Sequence, residues 1–186
     1  MKIQSIIIAT LGMTTFLPVF QTAVAATATV TVPAKASGRF GNPGDGTALI
    51  PAIKVSGKGT ITISYVSGTI SDSVAFNVGP KGAAYDIGQN YQSPLQEATG
   101  TAFGIVKNHW ALIGAFVPDS TVKSTGFSAV DGTKSLTAIG ITPNTLFFVG
   151  SYTAIDVNGP GTLFLGINDS GVADNTGGFT VKVVSP

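Results

Sequence analysis

Apolar residues alternate with small or polar residues along several short stretches of the chain. The alternation runs through residues 27–32, 60–66, 146–152 and 179–184. Successive side chains of a β-strand point to opposite faces, so this period of two predicts half-buried strands. Clusters of glycine, proline, asparagine and aspartate separate the stretches, and no segment carries a convincing helical period. The sequence therefore predicts an all-β protein, an antiparallel β-sandwich.

The first 25 residues have the pattern of a secretory signal peptide. Lys2 precedes an apolar run over residues 6–20, and Ala23-Val24-Ala25 forms a small-x-small cleavage site before Ala26. A membrane anchor is the alternative, but a span needs about 20 apolar residues. This run is shorter and is broken by threonine and proline. We therefore expect export through a cleaved signal, with the mature protein secreted, periplasmic or at the cell surface and not membrane-spanning.

Composition excludes several classes of function. The chain carries 10 Lys and Arg against 9 Asp and Glu, for a net charge of +1, and the basic residues are scattered singly. Nucleic-acid binding requires a basic stripe that neutralises phosphates, so we expect no nucleic-acid partner. Cysteine is absent, which removes both disulfides and thiol chemistry.

The residues that support catalysis are also sparse. The only histidine is His109, next to Trp110 at the start of an apolar stretch, where a structural or rim role is the simpler interpretation. General acid-base catalysis usually needs a base with a partner within reach, and a glycosidase needs two carboxylates at a defined separation. The spacing of the acidic residues singles out no such pair. We expect that the protein is not an enzyme and has no catalytic residues.

Residues 161–184 contain two strand-like runs joined by a loop rich in oxygen ligands. The loop offers the side chains of Asn168, Asp169, Ser170, Asp174 and Asn175. Calcium takes six to eight oxygens from carboxylates, amides and carbonyls, and two aspartates match its charge. The same residue types are also common in β-turns that bind nothing. The pattern predicts a hairpin over 161–184 with a calcium site in its loop, or a plain turn.

This loop resembles the end of the calcium-dependent galactophilic lectins of pseudomonads. In that family an Asn-Asp pair ends one strand, and a pair of amide side chains precedes a Ser/Gly-rich strand. Here the pairs are Asn168-Asp169 and Asp174-Asn175, and a carboxylate replaces the first of the two amides. The resemblance implies a jelly-roll, galactose-binding-domain-like sandwich. It also implies that Asp169, Asp174 and Asn175 hold calcium together with backbone carbonyls near Asp72 and Val172.

Upstream of the loop the resemblance continues in order but is less specific. Gly79-Pro80-Lys81-Gly82 is similar to the family's Gly-Pro-x-Gly turn. The lectins then contact sugar through a His-Pro-x-Gln element, which the loop at residues 83–93 lacks. In its place Asp86, Gln89 and Asn90 can hydrogen-bond a sugar, and Tyr85 can stack on one. Asp169 would contribute to sugar binding through the ion.

Two functions follow from these residues. The first is an exported calcium-dependent carbohydrate-binding module whose partner is a carbohydrate or glycoconjugate, with homo-oligomers or dense glycans supplying avidity. The alternative is an exported structural or adhesive β-sandwich, with or without calcium, that does not bind sugar. In domain terms, residues 26–48 are an edge strand or a flexible lead. Residues 49–186 form the sandwich, with an insertion at about 121–144.

Overall fold

The structure is a computed structural model, and it describes residues 25–36, 49–83, 95–96, 102–103, 109–121, 146–169 and 171–186. Nearly all the secondary structure in these ranges is β. The strands are β1 (Ala26–Pro33), β2 (Ile50–Val55), β3 (Lys58–Ser67), β4 (Ile70–Ser71), β5 (Leu95–Gln96), β6 (Ala102–Phe103), β7 (Ala111–Pro118), β8 (Leu146–Phe148), β9 (Tyr152–Asn158), β10 (Gly161–Asn168) and β11 (Thr176–Ser185).

The strands form two main antiparallel sheets. One has the order β1-β11-β3-β9, with the short β4 pairing with the start of β11, and the other has the order β2-β10-β7-β8. Strands β5 and β6 pair separately. Strand β1 is an edge strand that pairs with β11 over its whole length, from Ala26↔Ser185 to Pro33↔Gly178. The predicted all-β, antiparallel β-sandwich is confirmed.

The core lies between the two sheets and is built by the alternation seen in the sequence. In β3 and β11 every second residue is buried while its neighbours face outward. Strands β7 and β10 differ, because nearly all their residues are buried and both of their faces are covered. The largest fully buried side chains are Trp110, Phe164, Phe179, Ile61, Ile63, Ile70, Leu112, Ile113 and Leu163.

Two sequence predictions, one about strand pairing and one about strand extent, are wrong. Residues 161–184 do not form a hairpin, because β10 lies in the four-stranded sheet and β11 in the five-stranded sheet. The connection between them is a crossover from one sheet to the other. Residues 146–152 do not form one strand, since β8 ends at Phe148 and β9 begins at Tyr152. Gly150, with φ 57°, lies in the turn between them.

Some predictions fall on other parts of the chain. The signal peptide at 1–25 and the insertion at about 121–144 lie almost entirely outside the described residues. Within the described ranges, no helix is both long and apolar enough to cross a membrane.

Candidate functional site

The crossover from β10 to β11 carries three buried polar side chains. Asn168 ends β10, Asp169 follows it, and Asn175 immediately precedes β11. Asp169 is 2% exposed and Asn175 is 1% exposed. A buried carboxylate is strongly disfavoured unless other groups compensate its charge. The partners of Asp169 therefore define the chemistry of this crossover.

Three protein groups surround the Asp169 carboxylate. The Gly171 amide donates a hydrogen bond to Oδ1 at 2.9 Å. The Asn175 Nδ2 group donates to Oδ2 at 2.7 Å. His109 Nε2 lies 2.7 Å from Oδ1. Oδ1 thus has two close partners from the described residues and Oδ2 has one.

The side-chain amide of Asn175 has a fixed orientation at this site. Its Nδ2 donates both to Asp169 and to the Ala34 carbonyl, the latter at 3.0 Å. Both partners are acceptors, so the nitrogen and oxygen of the amide are fixed in this orientation. The Asn175 Oδ1 atom is buried and accepts no hydrogen bond from the described part of the chain. Buried acceptors are rarely left unpaired, so this oxygen fits a ligand such as a cation.

Asp174 lies at the surface beside this buried pair. Its Oδ2 accepts a hydrogen bond from the Ser73 amide at 3.3 Å. Hydrogen bonds from the Ser73 hydroxyl and amide lower the pKa of the Asp174 carboxyl, and the Lys35 charge adds to this effect. Lys35 Nζ also donates to the Ala173 carbonyl at 2.8 Å. Asp174 is therefore a charged ligand candidate that already has protein partners.

The two predicted backbone ligands have different surroundings. The Val172 carbonyl accepts a hydrogen bond from the Asn175 backbone amide at 3.2 Å, which places this carbonyl next to the buried pair of Asp169 and Asn175. The peptide between Asp72 and Ser73 presents its N–H to Asp174. In a trans peptide the carbonyl points the opposite way, so the Asp72 carbonyl faces away from that carboxylate. The Asp72 side chain caps its own loop by accepting from the Val74 and Ala75 amides.

The structure therefore brings together only part of the predicted ligand set. Asp169 and Asn175 are in contact, with the Val172 carbonyl and Asp174 close by along the chain. The Asp72 carbonyl is not brought toward Asp174. In the described ranges, no group of three or more His, Asp or Glu side chains could hold a metal ion. Amide and carbonyl oxygens would have to complete a calcium shell at this crossover.

The sequence did not predict the role of His109 and Trp110 at this site. Their rings stack with centroids 4.0 Å apart and an interplanar angle of 6°. Trp110 is buried, as expected from its apolar neighbours, and its backbone has φ 60°. The Trp110 amide donates to the Asn168 carbonyl at 2.9 Å. The only histidine of the chain therefore lies against the only buried carboxylate of the described residues.

The loop predicted to contact sugar begins next to this cluster. Ala83 forms a β-bridge with His109, and its amide donates to the His109 carbonyl at 3.0 Å. Just before it, the Gly79–Gly82 turn closes with a Gly82 amide to Gly79 carbonyl bond at 2.9 Å. The predicted sugar contacts Tyr85, Asp86, Gln89 and Asn90 lie outside the described residues.

A second loop next to the crossover exposes apolar side chains. The loop follows β4 and ends at Val78, which forms a β-bridge back to Ile70. Ser73 in this loop contacts Asp174. Phe76 is 74% exposed in this loop and Val74 is also exposed. Sequence patterns do not indicate the exposure of these two side chains, because their placement depends on the Asp72 cap and the contact with Asp174.

No family model and no curated protein matches the sequence. Among solved structures, the chain is similar to one described as "EclA N-terminal domain; PllA-like lectin". The match has 20% sequence identity and a TM-score of 0.38, and it covers 84% of this chain and 93% of the other. At this distance the similarity does not assign the chain to a family. The resemblance to the galactophilic lectins stays a prediction.

Proposed function

We propose that the protein is an exported calcium-dependent carbohydrate-binding module. The observation that supports this proposal best is the buried pair of Asp169 and Asn175 at the crossover between the sheets. Asp169 Oδ2 accepts a hydrogen bond from Asn175 Nδ2, and the Oδ1 atom of the same amide is buried without a hydrogen-bond partner among the described residues. Oxygens of these two kinds are the ligands that calcium prefers.

The residues present fit a hard divalent cation. Asp169 Oδ2 and Asn175 Oδ1 would be its buried ligands, and the Val172 carbonyl and the Asp174 carboxylate are near enough along the chain to join them. Asp169 and Asp174 together supply two negative charges, which balance a divalent ion. When bound, calcium would supply direct coordination of two sugar hydroxyls.

The surroundings of the crossover support sugar binding in two further ways. The loop at 83–93 starts at the bridge between Ala83 and His109, next to Asp169. Phe76 offers an exposed aromatic face on the loop that contacts Asp174. Aromatic rings can cover the apolar face of a sugar while polar groups bind its hydroxyls. We propose Phe76 as an apolar contact, in addition to the polar contacts proposed from Asp86, Gln89 and Asn90.

Export is part of the same proposal. The proposed cleavage falls between Ala25 and Ala26, and Ala26 is the first residue of β1. Cleavage there leaves the whole edge strand available to pair with β11. Mass spectrometry of the protein recovered from its native host should give a mature chain that begins at Ala26. A mature chain that still carries residues 1–25 would contradict export through a cleaved signal.

The alternative is a structural or adhesive sandwich that does not bind sugar. One observation favours it, namely that two protein donors, the Gly171 backbone amide and Asn175 Nδ2, already bind the Asp169 carboxylate, and His109 lies beside it. A crossover of this kind can be stable without an ion, because its buried charge is hydrogen-bonded. The two functions therefore differ in whether calcium creates a ligand site, which a binding experiment decides.

Binding to a glycan array with calcium and with a chelator tests the proposal. We expect calcium-dependent retention that Asp169→Ala abolishes together with metal binding. Gln89→Ala should keep the metal and lose only the sugar. An array that shows no calcium-dependent retention for the wild-type protein would support the structural alternative.

A further inference from the structure

We propose that Lys35 is an internal cation that competes with calcium at the candidate site, an inference that rests on the proposed function. Its ammonium group binds the outer side of the crossover, where it opposes a second cation. Calcium would have to bind against this positive charge. Lys35 therefore raises the calcium concentration at which the site fills.

Lys35 contacts the exposed part of the crossover. Its Nζ group donates a hydrogen bond to the Ala173 carbonyl at 2.8 Å. Ala173 lies between Val172 and Asp174, which offer two of the candidate calcium ligands. The hydrogen bonds from Ser73 and the charge of Lys35 both favour the ionised form of the Asp174 carboxyl. The ammonium is therefore placed beside oxygens that the ion would use.

The backbone on both sides of Lys35 is fixed to the two sheets. The Ala34 carbonyl accepts a hydrogen bond from the Asn175 side chain at 3.0 Å, next to the start of β11. The Ala36 carbonyl accepts one from the Ile167 amide of β10 at 2.7 Å. Both alanines are buried, whereas Lys35 between them is exposed. The Lys35 side chain therefore starts from a fixed point at the crossover and extends along its outer side.

Electrostatics determines the sign of the effect. Asp169 and Asp174 supply two negative charges, and the Lys35 ammonium offsets one of them. An ammonium and a divalent cation that share neighbouring oxygens repel each other, so each weakens the binding of the other. Salt screens charges at an exposed position, with a Debye length of about 10 Å at 0.1 M and about 3 Å at 1 M. The competition should therefore weaken as the ionic strength rises.

Calcium affinity in three variants tests the proposal. Lys35→Met keeps a long unbranched side chain without the charge, and Lys35→Arg keeps the charge. Lys182→Met is the matched control, because Lys182 is an exposed lysine in β11 that lies opposite Thr29 and Ser64. Isothermal titration with calcium chloride at low ionic strength should show binding about 3–10-fold tighter for Lys35→Met. Lys35→Arg and Lys182→Met should bind like wild type, and the gain in Lys35→Met should shrink in about 1 M salt.

The outcomes separate this proposal from the proposed function. Calcium binding by folded Lys35→Met that is equal to or weaker than that of wild type would overturn the proposal and leave the proposed function intact. An equal gain in Lys182→Met would also overturn it, since the effect would then follow from net charge alone. If neither wild type nor Lys35→Met binds calcium, the proposed function fails and the competing role fails with it.

A measurement in chelator tests the contact itself. The Ala173 carbonyl and the Asp174 N–H group belong to one peptide, so the Asp174 amide resonance responds to the hydrogen bond from Lys35. In ¹H–¹⁵N correlation spectra this resonance should move in Lys35→Met and stay in place in Lys182→Met. An unmoved Asp174 resonance in folded Lys35→Met would overturn the proposal whatever the calcium result.

Discussion

Asp169 is the residue on which the candidate site depends, because its charge is buried and three neighbours are arranged around it. Its two oxygens are contacted by the Gly171 backbone amide, the Asn175 side-chain amide and the His109 ring. Removing the carboxylate leaves buried donors without an acceptor, which is unfavourable even when no ion is present.

Asp169→Ala should therefore destabilise the metal-free protein. We expect the free energy of unfolding to fall by about 3 kcal/mol, since a buried charged acceptor is lost while its donors stay buried. Urea denaturation in chelator measures this change. Asp174→Ala is the matched control, because Asp174 is exposed and its loss should change stability by no more than about 0.5 kcal/mol. Equal stability of Asp169→Ala and wild type would mean that the carboxylate is not held as described.

Asp174 gives the expected pH dependence of the crossover. Its pKa is lowered from 3.8 in the folded state by the Ser73 hydrogen bonds. A carboxyl whose folded pKa lies below its unfolded pKa stabilises the protein above the unfolded value. That contribution is lost as the pH falls through the folded pKa.

Wild type should therefore lose slightly more stability on acidification than Asp174→Asn. Melting temperatures measured between about pH 6 and pH 3 would show the difference appearing only below about pH 4. The effect should be small, because the carboxyl is exposed. Parallel pH profiles of the two proteins would contradict the described contact with Ser73.

At the residue scale the sequence pointed to part of the site. The cluster of oxygen side chains marked Asp169 and Asn175, which the structure places in contact. It gave no sign of His109, because that contact depends on the register of β7 against β10. The direction of the Asp72 carbonyl could not be predicted from the sequence either. It depends on the orientation of the peptide between Asp72 and Ser73, whose N–H group faces Asp174.

At the scale of elements, backbone segments approach closely at the start of β11. Gly177 pairs with Ile70 and has φ 84°. A Cβ atom on Gly177 would lie 2.2 Å from the Thr69 carbonyl oxygen. The two consecutive glycines after Thr176 therefore allow β11 to pack beside β4 directly after the crossover.

Gly177→Ala should destabilise the protein by about 1–3 kcal/mol or more, because it combines a positive φ with a backbone clash. Chemical denaturation measures the loss. Gly57→Ala is the matched control, since nothing lies within 4 Å of its added Cβ. A Gly177→Ala variant as stable as Gly57→Ala would contradict the described packing of β4 against β11.

The loop between β4 and Val78 gives a prediction for binding rather than stability. Phe76 is exposed, so Phe76→Ala should change the melting temperature little. If Phe76 covers a bound sugar, affinity on the best array ligand should fall by about tenfold, which corresponds to about 1.4 kcal/mol. Tyr152→Ala is the control, because Tyr152 is also exposed but lies in β9, opposite Ser64. Equal losses in the two variants would remove Phe76 from the site.

At the scale of the whole molecule, the fold class could be predicted because strands with one exposed face keep a visible alternation. Strands β3 and β11 show it, and both were expected close to their observed bounds. Strand β10 does not show this alternation, because both of its faces are buried. Alternation therefore identified strands but did not show which sheet each strand joins. For that reason residues 161–184 were expected to form a hairpin and instead cross between sheets.

That crossover places the candidate site between the two sheets. Asp169 directly follows β10 in one sheet and Asn175 directly precedes β11 in the other, so an ion held by both residues would link the two sheets. Calcium that binds only the folded chain adds RT ln(1 + [L]/Kd) to its stability, or about 2.7 kcal/mol at a hundredfold excess over Kd.

The melting temperature of the purified wild-type protein in calcium and in chelator therefore shows directly whether the crossover holds an ion. For a domain of this size we expect a rise of about 5–10 °C with saturating calcium. The same rise should be absent in Asp169→Ala. A wild-type melting temperature that is the same in calcium and in chelator would mean that the folded protein binds no calcium.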